Sequence, residues 1–310
     1  MTSQPKNHGR AARLLAEHRL TEKRNAASKN LDRMTAREIV RLMNREDRKV
    51  ARAVGRESGT IARAVDAIVG AIRKGGRLIY VGAGSSGRMG VLDAAECPPT
   101  FGTSPKLVVA LIAGGRRAIT RAVEGAEDSE RNGARDLRAK KLTRRDVVVG
   151  IAASGTTPFV VGALKYARSR GAMTVAVTSN LRMPVGRVAK IVIAPEVGPE
   201  VLTGSTRLKA GTSQKMVLNM LSTGVMARLG HVYENLMIDM LLANEKLAER
   251  AVRILMEASG ASVSAAEQAL RAAGHDLRVA LVMLKLKIGA AKAKKRLRAA
   301  GGNLSGALGK

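Results

Sequence analysis

The chain has one cysteine, Cys97, no tryptophan, two phenylalanines and three tyrosines in 310 residues. A single cysteine excludes an internal disulfide framework and a cysteine-based metal cluster. The four histidines, at 8, 18, 231 and 275, are scattered rather than spaced as ligands. No structural metal is expected, and a reducing, cytoplasmic setting fits. With aromatic residues at 2%, platforms for stacking single-stranded bases are scarce. No apolar run reaches the ~18 to 20 residues of a membrane-spanning helix, so a soluble protein is expected. The opening MTSQPKNHGRAARLLAEHRL lacks the continuous apolar stretch and small-residue cleavage site of a secretory signal and reads as a solvated arm. No internal repeat or low-complexity tract is evident.

Acidic residues are also few: 25 against 54 lysines and arginines, a formal charge of +29. Such a chain attracts polyanions at low salt. Its cations run along the whole length instead of forming a reader motif, so nucleic acid is expected to bind non-specifically if it binds at all. The 45% of hydrophobic residues suffice for the core of one large or two modest domains.

The first ~70 residues place apolar side chains at three-to-four spacing, and Thr35 with Glu38 forms a capping-box pattern. Gly75-Gly76 stops the second helical run. Five short apolar runs then alternate with helix-length segments: RLIYVGAG, KLVVALIAGG, DVVVGIAASG, MTVAVTSN and KIVIAPEVG. This alternation predicts an α/β fold, a five-stranded parallel sheet sandwiched by helices. A long helix is expected in GSTRLKAGTSQKMVLNMLSTGVMARLG, with helical spacing continuing through YENLMIDMLLANEKLAERAVRILMEASG. Its Met, Leu and Val stripe reads as core. Beyond residue 259 the chain predicts two or three short helices divided at Gly274 and Gly289, the last one basic.

GAGSSGRMG, after the first strand, contains the G-x-G-x-x-G spacing of dinucleotide loops. The next strand, however, ends in glycines instead of the ribose-binding acid, and RMGVLDAAECPPT reads as too short for a standard crossover helix, being stopped by Pro98-Pro99. What remains is a strand-loop-helix turn with the hydroxyls Ser85 and Ser86 at a helix start, which suits a single phosphate. A second loop, ASGTTP, places Ser154, Thr156 and Thr157 in the same position relative to its strand. Two hydroxyl-rich loops at one sheet edge favour a phosphorylated small molecule; plain helix capping is the other reading. Glu96 and Glu127 follow adjacent strands at that edge, where a carboxylate pair can serve as acid and base, although most glutamates are simply solvated.

GAGSSGRMGVLDAAECPPTFG, VEGAEDS, VVVGIAASGTTPFVVGAL and TGSTRLKAGTSQKMVLNMLSTG together resemble the N-acetylmuramic acid 6-phosphate etherase family, and LTEKRN and NLMIDMLLANEKL resemble its flanking segments. The resemblance runs from about residue 20 to the end. It implies a sugar isomerase (SIS) fold with helical extensions, divided as 1–58, 59–230 and 231–310. It also implies a homodimer and no cofactor. The implied reaction is cleavage of a lactyl ether to N-acetylglucosamine 6-phosphate and D-lactate, by a carbon–oxygen lyase. In that resemblance Glu96 is the proton donor to lactate, Glu127 the base, and Ser86, Ser154, Thr156 and Thr157 the phosphate ligands, with Ser205, Arg207 and Lys209 as further contacts. The related glucokinase regulatory protein suggests an alternative, a non-catalytic phosphosugar-sensing regulator of a protein partner, and the basic helical N-terminus and net charge suggest one that binds DNA.

Overall fold

The computed structural model describes residues 19–242 and 245–309. The basic opening stretch, with His8 and His18, lies through residue 18 outside the described residues. The chain forms two compact units, one of residues to Asp93 with Val109–Leu221, the other of Ala94–Val108 with residues from Ser222 on.

In the first unit, helices α1 (Ala36–Arg56) and α2 (Ser58–Arg73) precede the sheet. Thr35 and Glu38 make the reciprocal capping box at the start of α1. Past the end of α2 the chain turns at Gly75, φ +79°. The five apolar runs become strands β1 (Leu78–Gly82), β2 (Val108–Ile112), β3 (Val147–Ile151), β4 (Met173–Val177) and β5 (Ile191–Ile193). They form one sheet in the order β2-β1-β3-β4-β5, with β1, β3, β4 and β5 paired in parallel. All five residues of β1 and of β3 are buried, which is why these strands read as unbroken apolar runs.

The remaining helices of the sheet region are α3 (Gly84–Phe101), α4 (Arg117–Thr120), α5 (Glu130–Ala139), α6 (Pro158–Ser169), α7 (Pro184–Val188) and α8 (Lys209–Leu229). Helix α3 corrects the sequence reading, because it passes through Pro98 and Pro99 and is 18 residues long. The prolines cannot donate to the carbonyls of Ala94 and Ala95. They stand in the last turn, however, where Cys97 and Phe101 are buried and the Gly102 N–H closes on the Pro98 carbonyl at 2.9 Å. Two missing bonds at the end of a helix do not stop it.

The second unit has its own apolar core, in which Leu255, Ala266, Leu277, Leu281, Ala293 and Leu304 are buried. Its helices are α9 (Glu245–Ser259), α10 (Val263–Ala272), α11 (Leu277–Leu286), α12 (Ala290–Ala299) and α13 (Leu304–Leu308). The stretch 233–242 is not helical, against expectation. Tyr233 and Leu236 form an isolated antiparallel bridge, and Leu241 donates its N–H to the Pro99 carbonyl. Tyr233, Ile238 and Met240 are buried one at a time from this irregular backbone.

A repeat is also present where the sequence showed none. Residues 265–281 and 292–308 align without a gap, 27 positions apart, with nine identities in 17 positions. Both copies are helical hairpins with the same turn. Gly274 and His275 take φ +70° and +64°, and Gly301 and Gly302 take +61° and +82°. The His275 N–H reaches the Leu270 carbonyl at 2.9 Å and the Gly302 N–H the Leu297 carbonyl at 2.8 Å. Asp276 and Asn303 then cap the second helix of each copy. With two copies only, the second disguised by lysines, the pattern has none of the sustained periodicity of a solenoid.

Candidate active site

The strand order reverses between β1 and β3, since β1 is followed by β2 on one side and β3 by β4 on the other. At such a switch point the loops at the carboxyl ends diverge and leave a crevice, the usual ligand position in an open parallel sheet. The register pairs Gly82 with Ile151, so the loop carrying Ser85 and Ser86 and the loop carrying Ser154, Thr156 and Thr157 leave neighbouring strand ends.

Close backbone approach shapes the first loop. A methyl group on Gly82 would sit 2.7 Å from the Gly87 nitrogen, and one on Gly87 would sit 2.6 Å from Ile112. The G-x-G-x-x-G glycines thus press the start of α3 onto the sheet. Ser86 is buried and Ser85 half-buried at that start. In the second loop the Ser154 and Thr156 hydroxyls lie 3.0 Å apart, and the Thr156 N–H donates to Ser154 Oγ at 3.2 Å. The hydroxyls of Ser154, Thr156 and Thr157 thus cluster on the loop that leads into α6, whose first residue is Pro158 and whose Phe159 and Val160 N–H groups are already bonded within the fold.

Glu127 belongs to the same edge. Its carbonyl accepts the Phe159 N–H at 2.9 Å, tying it to the first turn of α6 beside Thr157. Glu127, Glu124, Ser85, Arg88 and Arg121 line one recess of about 220 Å3. Helices α5 and α6 approach with no room for side chains at their contact. Methyl groups on Gly133 and Gly162 would fall 1.9 Å from the Phe159 carbonyl and 2.0 Å from the Glu130 carbonyl. The Glu127 carboxylate is exposed. Glu96 is exposed on α3, in the portion of that helix that belongs to the second unit. Three residues earlier, buried Asp93 accepts the Tyr80 hydroxyl at 2.8 Å.

Ser205 is half-buried and Arg207 exposed in the turn before α8. Lys209 requires a correction. It is 1% exposed and its ammonium donates to Glu46 Oε2 at 2.7 Å, so it joins α8 to α1 instead of reaching the ligand edge. Burial would raise the Glu46 pKa, but hydrogen bonds from Lys209, Lys49 and Asn25 outweigh it and hold the carboxyl at about 2. Glu200, fully buried, accepts the Lys209 and Ala210 N–H groups at the start of α8. Burial pushes its carboxyl up against those two donors.

Sequence reasoning missed three supporting residues. Arg88 donates to the carbonyls of Ala118, Ile119 and Arg121 and so fixes the wall that leads to Glu127. Asn180, buried after β4, donates to the Ala153 carbonyl at 3.0 Å and accepts the Leu20 N–H at 2.7 Å. Asn25 donates to Glu46 and to the Pro199 carbonyl. Asn180 thus ties the Leu20 end of the LTEKRN segment to the backbone at Ala153, and Asn25 ties its other end to α1 and Pro199. An arginine, two asparagines and isolated backbone contacts carry no periodic signal, so only the three-dimensional structure brings them out.

Residues 60–168 match the family model described as the glucokinase regulatory protein N-terminal SIS domain, and residues 121–224 match the SIS domain model. The chain is 52% identical over 289 residues to the N-acetylmuramic acid 6-phosphate etherase of Pectobacterium atrosepticum, covering 93% of this chain and 95% of that protein. It belongs to the N-acetylmuramic acid 6-phosphate etherase family. The Geobacillus thermodenitrificans etherase is likewise 52% identical, over 294 residues that span 95% of this chain and its own full length. Among solved structures, a phosphoheptose isomerase from Neisseria gonorrhoeae is similar with a TM-score of 0.49 at 17% identity, covering 62% of this chain and 100% of that one. Within the etherase family frame, the SIS fold expected from the sequence is the fold observed. No helix of the described residues is long and apolar enough to cross a membrane.

Proposed function

We propose that this chain is an N-acetylmuramic acid 6-phosphate etherase, a carbon–oxygen lyase that turns its substrate and water into N-acetylglucosamine 6-phosphate and D-lactate. The observation that carries this reading is 52% identity, over nearly the full length of both chains, to proteins of that name. The two hydroxyl-bearing loops at the β1/β3 switch support it, because a phosphosugar needs hydrogen-bond donors for its phosphate together with an acid–base pair. In this reading Ser85, Ser86, Ser154, Thr156 and Thr157 take the phosphate, with Ser205 and Arg207 at its rim. The enzyme works as a cytoplasmic homodimer, with 1–58, 59–230 and 231–310 as its functional divisions.

The chemistry follows from the substrate. Lactate is held by an ether at C3, β to the C1 aldehyde of the open-chain sugar. Glu127 removes the C2 proton and the electron pair is held as an enolate. The C3–O bond then breaks as Glu96, in its protonated form, delivers a proton to the departing ether oxygen. Water adds to the resulting unsaturated aldehyde with the two roles reversed, restoring both carboxyls.

Incubation with N-acetylmuramate 6-phosphate should release D-lactate. In deuterated solvent, Glu127→Gln should abolish exchange of the C2 hydrogen, whereas Glu96→Gln should keep exchange and lose lactate release. The reverse pattern would exchange the two assignments, and phosphosugar binding without lactate release from the unaltered protein would favour the sensing role.

A further inference from the structure

The duplicated hairpin of the second unit serves as an internal control for its own charge. In the first copy, solvent positions of α10 carry Ala265, Glu267 and Gln268, and Arg271 pairs with Glu267 one turn away at 3.7 Å. The second copy has the same turn and keeps the buried positions Ala293, Leu297, Leu304 and Ala307, with exposed Arg296 in place of buried Ala269, and the equivalent sites on α12 are Lys292, Lys294 and Lys295, all exposed. Arg298, equivalent to Arg271, now has Lys294 where its counterpart has a carboxylate. Like charges three and four positions apart on a helix oppose its formation. The first copy shows that the hairpin folds without these cations, so folding does not demand them.

The surroundings strengthen the patch. Between 277 and 302 the chain holds eight lysines and arginines and no acidic residue. Lys294 and Arg298, with the Gly301-Gly302 turn, line an open recess of about 520 Å3 that Arg278 and Asp276 also border. Arg278 is ion-paired with Asp239 at 2.7 Å, and the Asp276 carboxylate accepts the Val279 N–H, so the cations left to the recess come from α12. Lys292 to Arg298 spans about 9 Å of helix, a length over which a duplex presents roughly five phosphate charges.

We propose that this face of α12, formed by Lys292, Lys294, Lys295 and Arg298, is a docking surface for the phosphate backbone of duplex nucleic acid, read without regard to sequence. Phosphate contacts of this kind hold a protein to a duplex but carry no base information. The 2% aromatic content agrees with a surface that does not stack bases. Such a surface would keep this chain on a polyanion independently of its small-molecule chemistry.

The test is fluorescence anisotropy of the full chain with two unrelated 20-base-pair duplexes across a salt series. The triple variant Lys292→Ala/Lys294→Gln/Lys295→Gln should bind at least about tenfold more weakly near 0.1 M salt. Its slope of log affinity against log salt should fall by about 0.9 for each phosphate that the variant no longer neutralises. Arg37→Gln/Arg41→Gln/Arg48→Gln removes the same charge from exposed positions of α1 and should change binding less than about twofold. Lys294→Glu recreates the ion pair of the first copy, so it should stay folded and still lose affinity. Equal losses in the two triple variants would overturn the proposal, as would an unchanged salt slope. So would binding of the unaltered chain to vesicles of anionic lipid but not to duplex.

Discussion

Lys209 and Glu46 stand 163 positions apart in sequence, and their side chains, each about 98% or more buried, meet at 2.7 Å. This contact joins the first long helix to the last helix of the sheet unit. Removing one partner strands the other: Glu46→Gln or Lys209→Met alone should cost about 3 to 5 kcal/mol in urea unfolding. The double change Glu46→Leu/Lys209→Met should recover much of that loss and keep D-lactate release within a few-fold. A collapse of activity in a well-folded double variant would return Lys209 to the ligand.

The same pair sets an acid limb. Glu46 is held at about 2 in the folded chain against an ordinary value of 4.5. Its contribution is therefore complete above pH 4.5 and fades as pH falls toward 2, a loss on the order of 3 kcal/mol. Glu200 works in the opposite direction. Its raised value favours the protonated folded form, so its share grows on acidification and offsets part of the loss. Unfolding free energies measured from pH 6 to 2 should decline more steeply for the unaltered chain than for Glu46→Leu/Lys209→Met.

Asn180 separates positioning from chemistry. Asn180→Asp keeps the acceptor for the Leu20 N–H and loses the donor to the Ala153 carbonyl. An unpaired buried carbonyl costs about 1 to 3 kcal/mol. Because that carbonyl precedes the Ser154 hydroxyl, KM for the phosphosugar should rise on the order of tenfold with a smaller change in kcat. A fall in kcat at constant KM would place Asn180 in the chemical step instead.

The glycines of the α5–α6 contact give a sharper contrast. Gly162→Ala must displace the Glu130 carbonyl, 2.0 Å from the new methyl, and should destabilise by about 1 to 3 kcal/mol or more while loosening the Glu127 segment to proteolysis. Gly70→Ala on α2, where nothing lies within 4 Å, should stabilise by about 0.5 to 1 kcal/mol. Thermal melts of the two variants should move in opposite directions.

The sheet was legible because burial on both faces writes a strand as an unbroken apolar run, as at Leu78–Gly82 and Val147–Ile151. The hydroxyl loops were legible because Gly, Ser and Thr cluster right after those runs. The length of α3 was not, because a proline's cost depends on where in the helix it falls. Nor was the fate of Lys209, since a lysine beside a ligand loop and one buried against a distant glutamate read alike until the fold brings Glu46 into place. The irregular 233–242 stretch mimicked a helix because its apolar residues Tyr233, Leu236, Met237, Met240 and Leu241 recur at three-to-four spacing, although the side chains it buries, Tyr233, Ile238 and Met240, do not.

The separation between Glu46 and Lys209 also sets a clock during synthesis. At roughly 5 to 20 residues per second, the glutamate is made some 8 to 30 s before the lysine that neutralises it. Until then its carboxylate has to remain hydrated, and α1 cannot be sealed into its final place. The pairing of Ile151 with Gly82 needs no residue beyond 151, so the strand ends that carry the two hydroxyl loops can meet before this bolt closes.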